Sequence, residues 1–270
     1  MSGRSLRQAV LRPAAAALAV VPAAGCGSGS GVTVQGAELI EKGRLTVCTS
    51  LPNPPFESVQ GGRVAGFDVD LLDLVAKRLK VRLKFVQTPF ETLRSGIAVG
   101  QGMCDVAAAG LPVEPARAAY IGYSDPYYNA LQAVVGRKGP RYATMAAVAA
   151  SGLKIGTWAN SAGEESLGKT AAEPVSFTGP AALLNGLRTG RVRLAVVDHA
   201  VASGWLRDPA NAGLALRGDF DIGRKYAFSV RRDENPGLLA LLNSTLAQAR
   251  ADGSYKRIHE KWIGPPPVSR

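Results

Sequence analysis

The chain has 270 residues, enough for one large domain or two modest ones, and its 46% hydrophobic and 20% charged residues exclude disorder. A formal net charge of +11 raises nucleic-acid and anionic-membrane readings. The Lys and Arg are scattered, however, with only short groups at Arg231-Arg232 and Arg188 to Arg193, and no basic stripe interleaves with aromatics. That excludes a nucleic-acid binder and leaves a general affinity for an anionic envelope surface.

In chain order, Arg4, Arg7 and Arg12 precede an apolar run over residues 14–21, too short to span a bilayer. Ala23, Ala24 and Gly25 then lead to Cys26. Residues 1–25 read as a secretory signal peptide. Ala-Ala-Gly-Cys resembles a bacterial lipobox with Ala23 where Leu is usual, which makes Cys26 a candidate lipidation site. A plain signal peptide with an incidental Cys26 is the competing reading. Residues 26–37, which include the GSGSG stretch at 27–31, read as anchor and flexible tether.

The mature part alternates helical and strand patterns. Residues 37–42 read as a helical stub and 44–49 as a strand. Residues 67–80 read as a helix with Leu71, Leu74, Val75 and Leu79 on one face and Asp68 and Asp70 in its first turn. Apolar–basic alternation over 81–85 predicts a half-buried strand, 90–99 a helix, 105–109 a short buried strand and 132–137 another strand. Gly139-Pro140 is a turn. A second unit follows, with helices over 144–150, 181–187 and 201–206 and strands over 153–157 and 194–197. Residues 218–223 read as a loop and 226–230 as a strand. A long helix over 236–251 starts on Pro236, 255–262 closes the fold, and Pro265-Pro266-Pro267 opens a tail over 265–270. Alternation of this kind predicts an α/β fold with parallel strands.

No catalytic constellation is assembled. His259 reads as lying on a solvated face beside Glu260 and Lys261, and His199 points away from Asp198 if the strand continues through both. No metal-ligand spacing, nucleophile elbow or phosphate loop is present, so no metal and no cofactor are expected. The carboxylate pairs Asp68/Asp70, Asp219/Asp221 and Glu164/Glu165 read as helix starts or exposed loops. Cys48 and Cys104 read equally as a disulfide of an exported chain or as two separate small buried residues.

Asn53-Pro54-Pro55-Phe56-Glu57, Gly66 to Leu71, Phe90, Cys104-Asp105-Val106, Ala109-Gly110-Leu111, Arg117, Tyr123 to Tyr127, Gly190-Arg191, Ala195 to Asp198, Asp252 to Tyr255 and Lys261 to Gly264 recur in an ordered series. In that order they resemble family 3 of the extracellular solute-binding proteins, the amino-acid-binding components of bacterial ABC importers. The resemblance implies a two-lobed clamshell of type II, built from two doubly wound lobes joined by two hinge crossings. Lobe 1 would combine 38–131 with 226–264, and lobe 2 would be 132–225 with the hinge segments. It implies a lipid-anchored monomer on the outer face of the cytoplasmic membrane, with no catalysis. The protein would capture a small polar, amino-acid-like ligand for an ABC permease. A non-transporting sensor lobe and a dehydratase-like enzyme on the same fold are the alternatives.

The resemblance also assigns roles. Arg117 matches the arginine that grips the ligand carboxylate, with a structural ion pair as the competing role. Asp198 matches the acid that receives the ligand ammonium, against a helix N-cap. Phe90 matches the aromatic along the ligand side chain, against a core Phe. Asn53, Gly110 and Ser161 complete the expected ligand-binding set. This sequence departs from the family pattern at Asn53, normally aromatic, at Pro112 and Glu114, normally hydroxyl-bearing, and at Arg193, normally acidic. If Cys26 carries a lipid, Cys26→Ser moves the protein from the membrane fraction to the medium on fractionation; unchanged retention sinks the lipobox reading.

Overall fold

The computed structural model describes residues 32–159 and 161–264. The expected signal peptide, the Cys26 anchor, the glycine-serine stretch, Asn160 and the 265–270 tail lie outside those residues. The described chain opens with strands β1 (Val32–Val34) and β2 (Ala37–Leu39), paired antiparallel around Gln35-Gly36. Both turn residues have positive φ, 50° and 81°, the twist that a two-residue hairpin loop requires. Ala37 and Leu39 are buried and Glu38 is exposed. That period of two overturns the helical stub expected over 37–42, and it places residues 32–37 in a hairpin where a tether was expected. The hairpin is docked: the Asn235 side chain accepts from Glu38 N–H and donates to the Glu38 carbonyl.

Next come β3 (Arg44–Thr49), then the hairpin β4 (Ser58–Gln60) and β5 (Arg63–Ala65), which sequence patterning missed. Helix α1 (Phe67–Leu79) ends where Lys80 turns left-handed and donates to the Ala76 and Lys77 carbonyls. Strand β6 (Arg82–Gln87) follows. The single helix expected over 90–99 is broken into α2 (Phe90–Arg94) and α3 (Ile97–Gly100). The break falls at Gly96, where φ is 80° and a Cβ would lie 2.2 Å from Ile121 Cδ1. Strands β7 (Val106–Ala107), β8 (Ile121–Tyr123) and β9 (Tyr128–Arg137) complete the first half.

The second half runs α4 (Met145–Ala149), β10 (Ile155–Trp158), α5 (Ala162–Gly168), β11 (Val175–Phe177), α6 (Pro180–Arg188), β12 (Leu194–Asp198), α7 (His199–Arg207), β13 (Leu214–Tyr226), β14 (Ser229–Arg231), α8 (Pro236–Ala251) and α9 (Ser254–Trp262). Thr144, Ser161 and Asn235 cap α4, α5 and α8 by accepting backbone N–H bonds.

Two five-stranded sheets result, ordered β6-β3-β7-β14-β8 and β11-β10-β12-β9-β13. In the first, β3 is parallel to β6 and β7; in the second, β10 is parallel to β11 and β12. Each sheet has its own core: Leu45, Val47, Phe67, Leu71 and Leu242 in the first, and Ala133, Val135, Leu183, Val197 and Trp205 in the second. The expected two-lobed α/β architecture is therefore present.

The chain passes between lobes as strands. Residues 218–223, expected as a loop, lie inside β13, which pairs antiparallel with β9 from Leu214↔Arg137 to Tyr226↔Tyr128. The glycines and aspartates that mimic a turn mark two register shifts, at Leu216/Gly218 and Asp221/Arg224. His259 is another correction. It is buried rather than solvated, 5.7 Å from the Phe67 ring, with Nδ1 2.7 Å from the Gly264 carbonyl.

Cys48 on β3 and Cys104 before β7 form a disulfide with Cα atoms 5.7 Å apart, inside a small core with Leu93 and Val99. The bridge closes a long loop, so Cys48→Ala with Cys104→Ala lowers stability by about 2–4 kcal/mol. Urea unfolding of oxidised protein measures this, and equal stability of the two proteins would show that the bridge does not form.

Candidate functional site

The C-terminal ends of the parallel strands in both sheets face one another, and ligand crevices in open α/β sheets lie outside such ends. A cleft of about 870 Å³ occupies this space. From the first lobe it receives Asn53 and Phe56 after β3, Phe90, Glu91 and Arg94 on α2, and Ala109, Gly110, Pro112, Val113 and Glu114 after β7. From the second it receives Trp158 of β10, Ser161, Glu164 and Glu165 around α5, and Asp198 at the end of β12. Arg224 and Tyr226 of β13 lie where the lobes join.

Beneath the floor lies a buried carboxylate pair. Glu57 is 1% exposed and Asp68 0%. Asp68 Oδ2 accepts from the Tyr127 hydroxyl at 2.6 Å and from Gly110 N–H at 3.2 Å. Glu57 Oε2 accepts from the Asn53 amide at 3.1 Å, and that amide also donates to the Ala109 carbonyl. The remaining oxygens, Glu57 Oε1 and Asp68 Oδ1, have no other partner. Burial, reinforced by the charge of Asp68, pushes the Glu57 carboxyl well above the usual carboxylate range, and burial raises Asp68 as well. Two adjacent carboxyls out of contact with water cannot both ionise, so they share a proton. Asp68 is the first-turn acid of α1 that was expected, and it is buried. It fixes Gly110, while Glu57 fixes Asn53, and the floor of the cleft is set by both.

Asp198 stands on the opposite wall. Its backbone occupies the N-cap position of α7, yet its side chain caps nothing; the Gln132 amide donates to its Oδ1 instead. Asp198 keeps a partial opening toward the cleft while the walls around it remove most of its water. That burial raises its pKa to about 6, against the lowering effects of the Gln132 bond and the Arg224 charge. Because the strand ends at Asp198, the alternation argument for His199 fails: His199 begins α7, and its Nδ1 lies 3.0 Å from Asp219 Oδ1.

Arg117 is outside the residues that line the cleft. Its Nη1 lies 2.6 Å from Glu114 Oε1, and the same oxygen accepts from Arg94 Nη1 at 3.2 Å. Arg94 also pairs with Glu91, and Arg224 with Glu165. Phe90 is 38% exposed with its ring at the cleft, so it is no core residue. Ser161 Oγ accepts from Glu164 N–H and lies 3.1 Å from Thr157 Oγ1. The structure therefore brings Asn53, Phe90, Gly110, Ser161 and Asp198 to one cleft and leaves Arg117 behind its wall.

Sequence patterning missed Arg94, Glu91, Arg224 and Tyr226; it read Glu164 and Glu165 as a helix start and also placed them, with Trp158, in a 158–165 loop expected to set ligand preference. They are a helix start, but one that opens on the cleft. No motif flags the others, because their place depends on how two sheets face each other.

The sequence profile of the bacterial extracellular solute-binding proteins, family 3, matches residues 45–265. The ABC transporter arginine-binding protein 1 of Escherichia coli (strain K12) is 28% identical, over 84% of this chain and 93% of that one. An ancestral arginine-binding protein bound to arginine is 31% identical with a TM-score of 0.67, covering 83% of this chain and 99% of that chain. The ancestral amino acid-binding protein AncCDT-1, described as a precursor of cyclohexadienyl dehydratase, is 26% identical with a TM-score of 0.66, covering 82% and 95%.

The raised Asp198 pKa has a consequence for stability. A carboxyl raised from 3.8 to about 6 by folding stabilises fully below the lower value, and that contribution is lost as pH rises through the upper one. Asp198→Asn keeps the Gln132 bond and removes the charge. The ligand-free variant is therefore more stable than the parent at about pH 8, by roughly 2–3 kcal/mol, and the gain shrinks between about pH 6 and pH 4. Urea unfolding across that range tests it; a constant difference would refute the desolvation of Asp198.

Proposed function

The chain belongs to the bacterial extracellular solute-binding proteins, family 3, and on that premise we propose that it captures a small cationic, amino-acid-like solute outside the cytoplasm and delivers it unchanged to an ABC permease. One observation carries the cationic assignment. The carboxylates of Glu91, Glu114, Glu164, Glu165 and Asp198 line the cleft against the guanidiniums of Arg94 and Arg224. With every group ionised, five negative and two positive charges leave the lining at −3, in a chain of net +11. A cleft of one sign raises the local concentration of the opposite ion. The relatives named for arginine support the same charge.

In this reading Asp198 receives the ligand ammonium, and Phe90, Trp158 and Tyr226 offer ring faces to methylenes and to a cation. Asn53 and Gly110 shape the floor, and Ser161 meets the ligand from the second lobe. Bending at the β9/β13 crossing closes the lobes, and expulsion of water strengthens each charged contact. Cys26, lipidated, tethers a monomer to the outer face of the cytoplasmic membrane. A dehydratase-like activity would need a cleft acid poised at a scissile group, whereas Glu114, Glu165 and Asp198 each already hold a partner. A sensor would share the capture step and differ only in its membrane partner.

A thermal-shift screen of basic amino acids and their amines against acidic amino acids tests the charge. Cations raise the melting temperature; stabilisation by the acids alone would overturn the reading. For a stabilising cation, Asp198→Ala weakens binding roughly thirty-fold or more, from a loss of about 2–5 kcal/mol. Wild-type affinity falls as pH drops below about 6, where protonated Asp198 no longer attracts the ammonium.

A further inference from the structure

We infer that Glu114 is a built-in carboxylate that occupies the cationic wall of the cleft, so that the preferred ligand is a dication without a free carboxylate, an aliphatic diamine or a guanidino-amine. This rests on the cationic reading above and narrows it.

At the wall formed after β7 the guanidiniums already face carboxylates of this chain. Arg117 and Arg94 already share Glu114 Oε1, at 2.6 and 3.2 Å, and Arg94 holds Glu91 as well at 3.1 Å. On the other side Arg224 is paired with Glu165. Of the backbone donors at the same wall, Gly110 N–H is spent on Asp68 and Val113 N–H on the Lys225 carbonyl, while Pro112 has none. The Asn53 amide is divided between Glu57 and the Ala109 carbonyl. A ligand carboxylate would have to displace Glu114 and leave that acid in an already acidic cleft, since the lining stays at −2 even when Arg117 is added to it.

Acceptors, in contrast, stand on both lobes: Asp198 and the α5 acids Glu164 and Glu165 on the second, and Glu91 of α2 on the first, with Phe90, Trp158 and Tyr226 in the lining. Two cationic ends joined by methylenes match carboxylates on both lobes. An acid whose partners are already supplied also explains why Glu114 and Pro112 occur together. Pro112 removes a donor that a carboxylate would have used, and Glu114 supplies the negative charge that the arginines would otherwise lack.

Calorimetric titration of the intact protein with arginine and with agmatine, its decarboxylated counterpart, reads this directly. Wild-type protein binds agmatine at least tenfold more tightly than arginine. Glu114→Gln removes the carboxylate that Arg117 and Arg94 share and narrows or reverses that ratio by at least tenfold, mainly through tighter arginine binding. Glu114 is 31% exposed at its side chain, so the variant folds, and its melting temperature without ligand verifies this. Arginine binding as tightly as agmatine to the wild type, or an unchanged ratio in Glu114→Gln, overturns the inference and leaves the cationic reading standing. If neither compound binds and only acidic amino acids do, the cationic reading falls and this inference with it.

Discussion

The cleft depends on a carboxyl pair that never meets water. Glu57 and Asp68 come from the loop after β3 and the first turn of α1, and both are desolvated. Ionising both would place two like charges in a low-dielectric site, at a cost of several kcal/mol. Holding one proton between them leaves the outer oxygens as strong acceptors. Those oxygens take the Asn53 amide, Gly110 N–H and the Tyr127 hydroxyl. Through these bonds one proton-sharing pair sets the loop after β3, the loop after β7 and the start of β9. Gly66 makes the arrangement possible, because a Cβ there would lie 1.9 Å from the Phe56 carbonyl oxygen. The close approach lets Phe67 and Asp68 N–H bond the Pro55 and Phe56 carbonyls.

Above this floor the lobes are joined by a paired ribbon rather than by two separate coils. Nearly all of β13 is hydrogen-bonded to β9, and the ladder is interrupted at Asp221/Arg224, beside the cleft residues Arg224 and Tyr226. A two-stranded ribbon resists shear and tolerates bending where its ladder is broken. Aromatic packing holds the lobe-1 end: Tyr127 stacks on Phe228 at 4.3 Å between ring centroids, and Tyr128 and Tyr226 meet Phe56 edge-on. The break in the ladder thus falls in a short segment that itself lines the site.

The cleft is also where the fold gives up stability. Asp198 is kept short of water, and five carboxylates are gathered around a single cavity. The ion pairs Glu114–Arg117, Glu114–Arg94 and Glu165–Arg224 hold part of that charge in the free protein. Their partners on both lobes restrict the wall before any ligand arrives, so preorganisation and charge balance come from the same contacts.

Sequence alone determined the two-unit α/β organisation, because hydrophobic period and capping chemistry act over a few residues. The helices at Phe67–Leu79 and Pro236–Ala251 and the strand at Arg44–Thr49 could be read from those signals. It also marked Asp198 and Phe90 through motif order, and left Cys48 and Cys104 as one of two alternatives. Only the tertiary structure decided that residues 218–223 are strand, since their ladder partner lies about ninety residues away in β9. Only it decided that Asp68 and His259 are buried, that a helix breaks at Gly96 against Ile121, and that Glu114 rather than open cleft meets Arg117. Each of these depends on what a neighbouring element brings to the same point, and a local pattern carries no record of that neighbour.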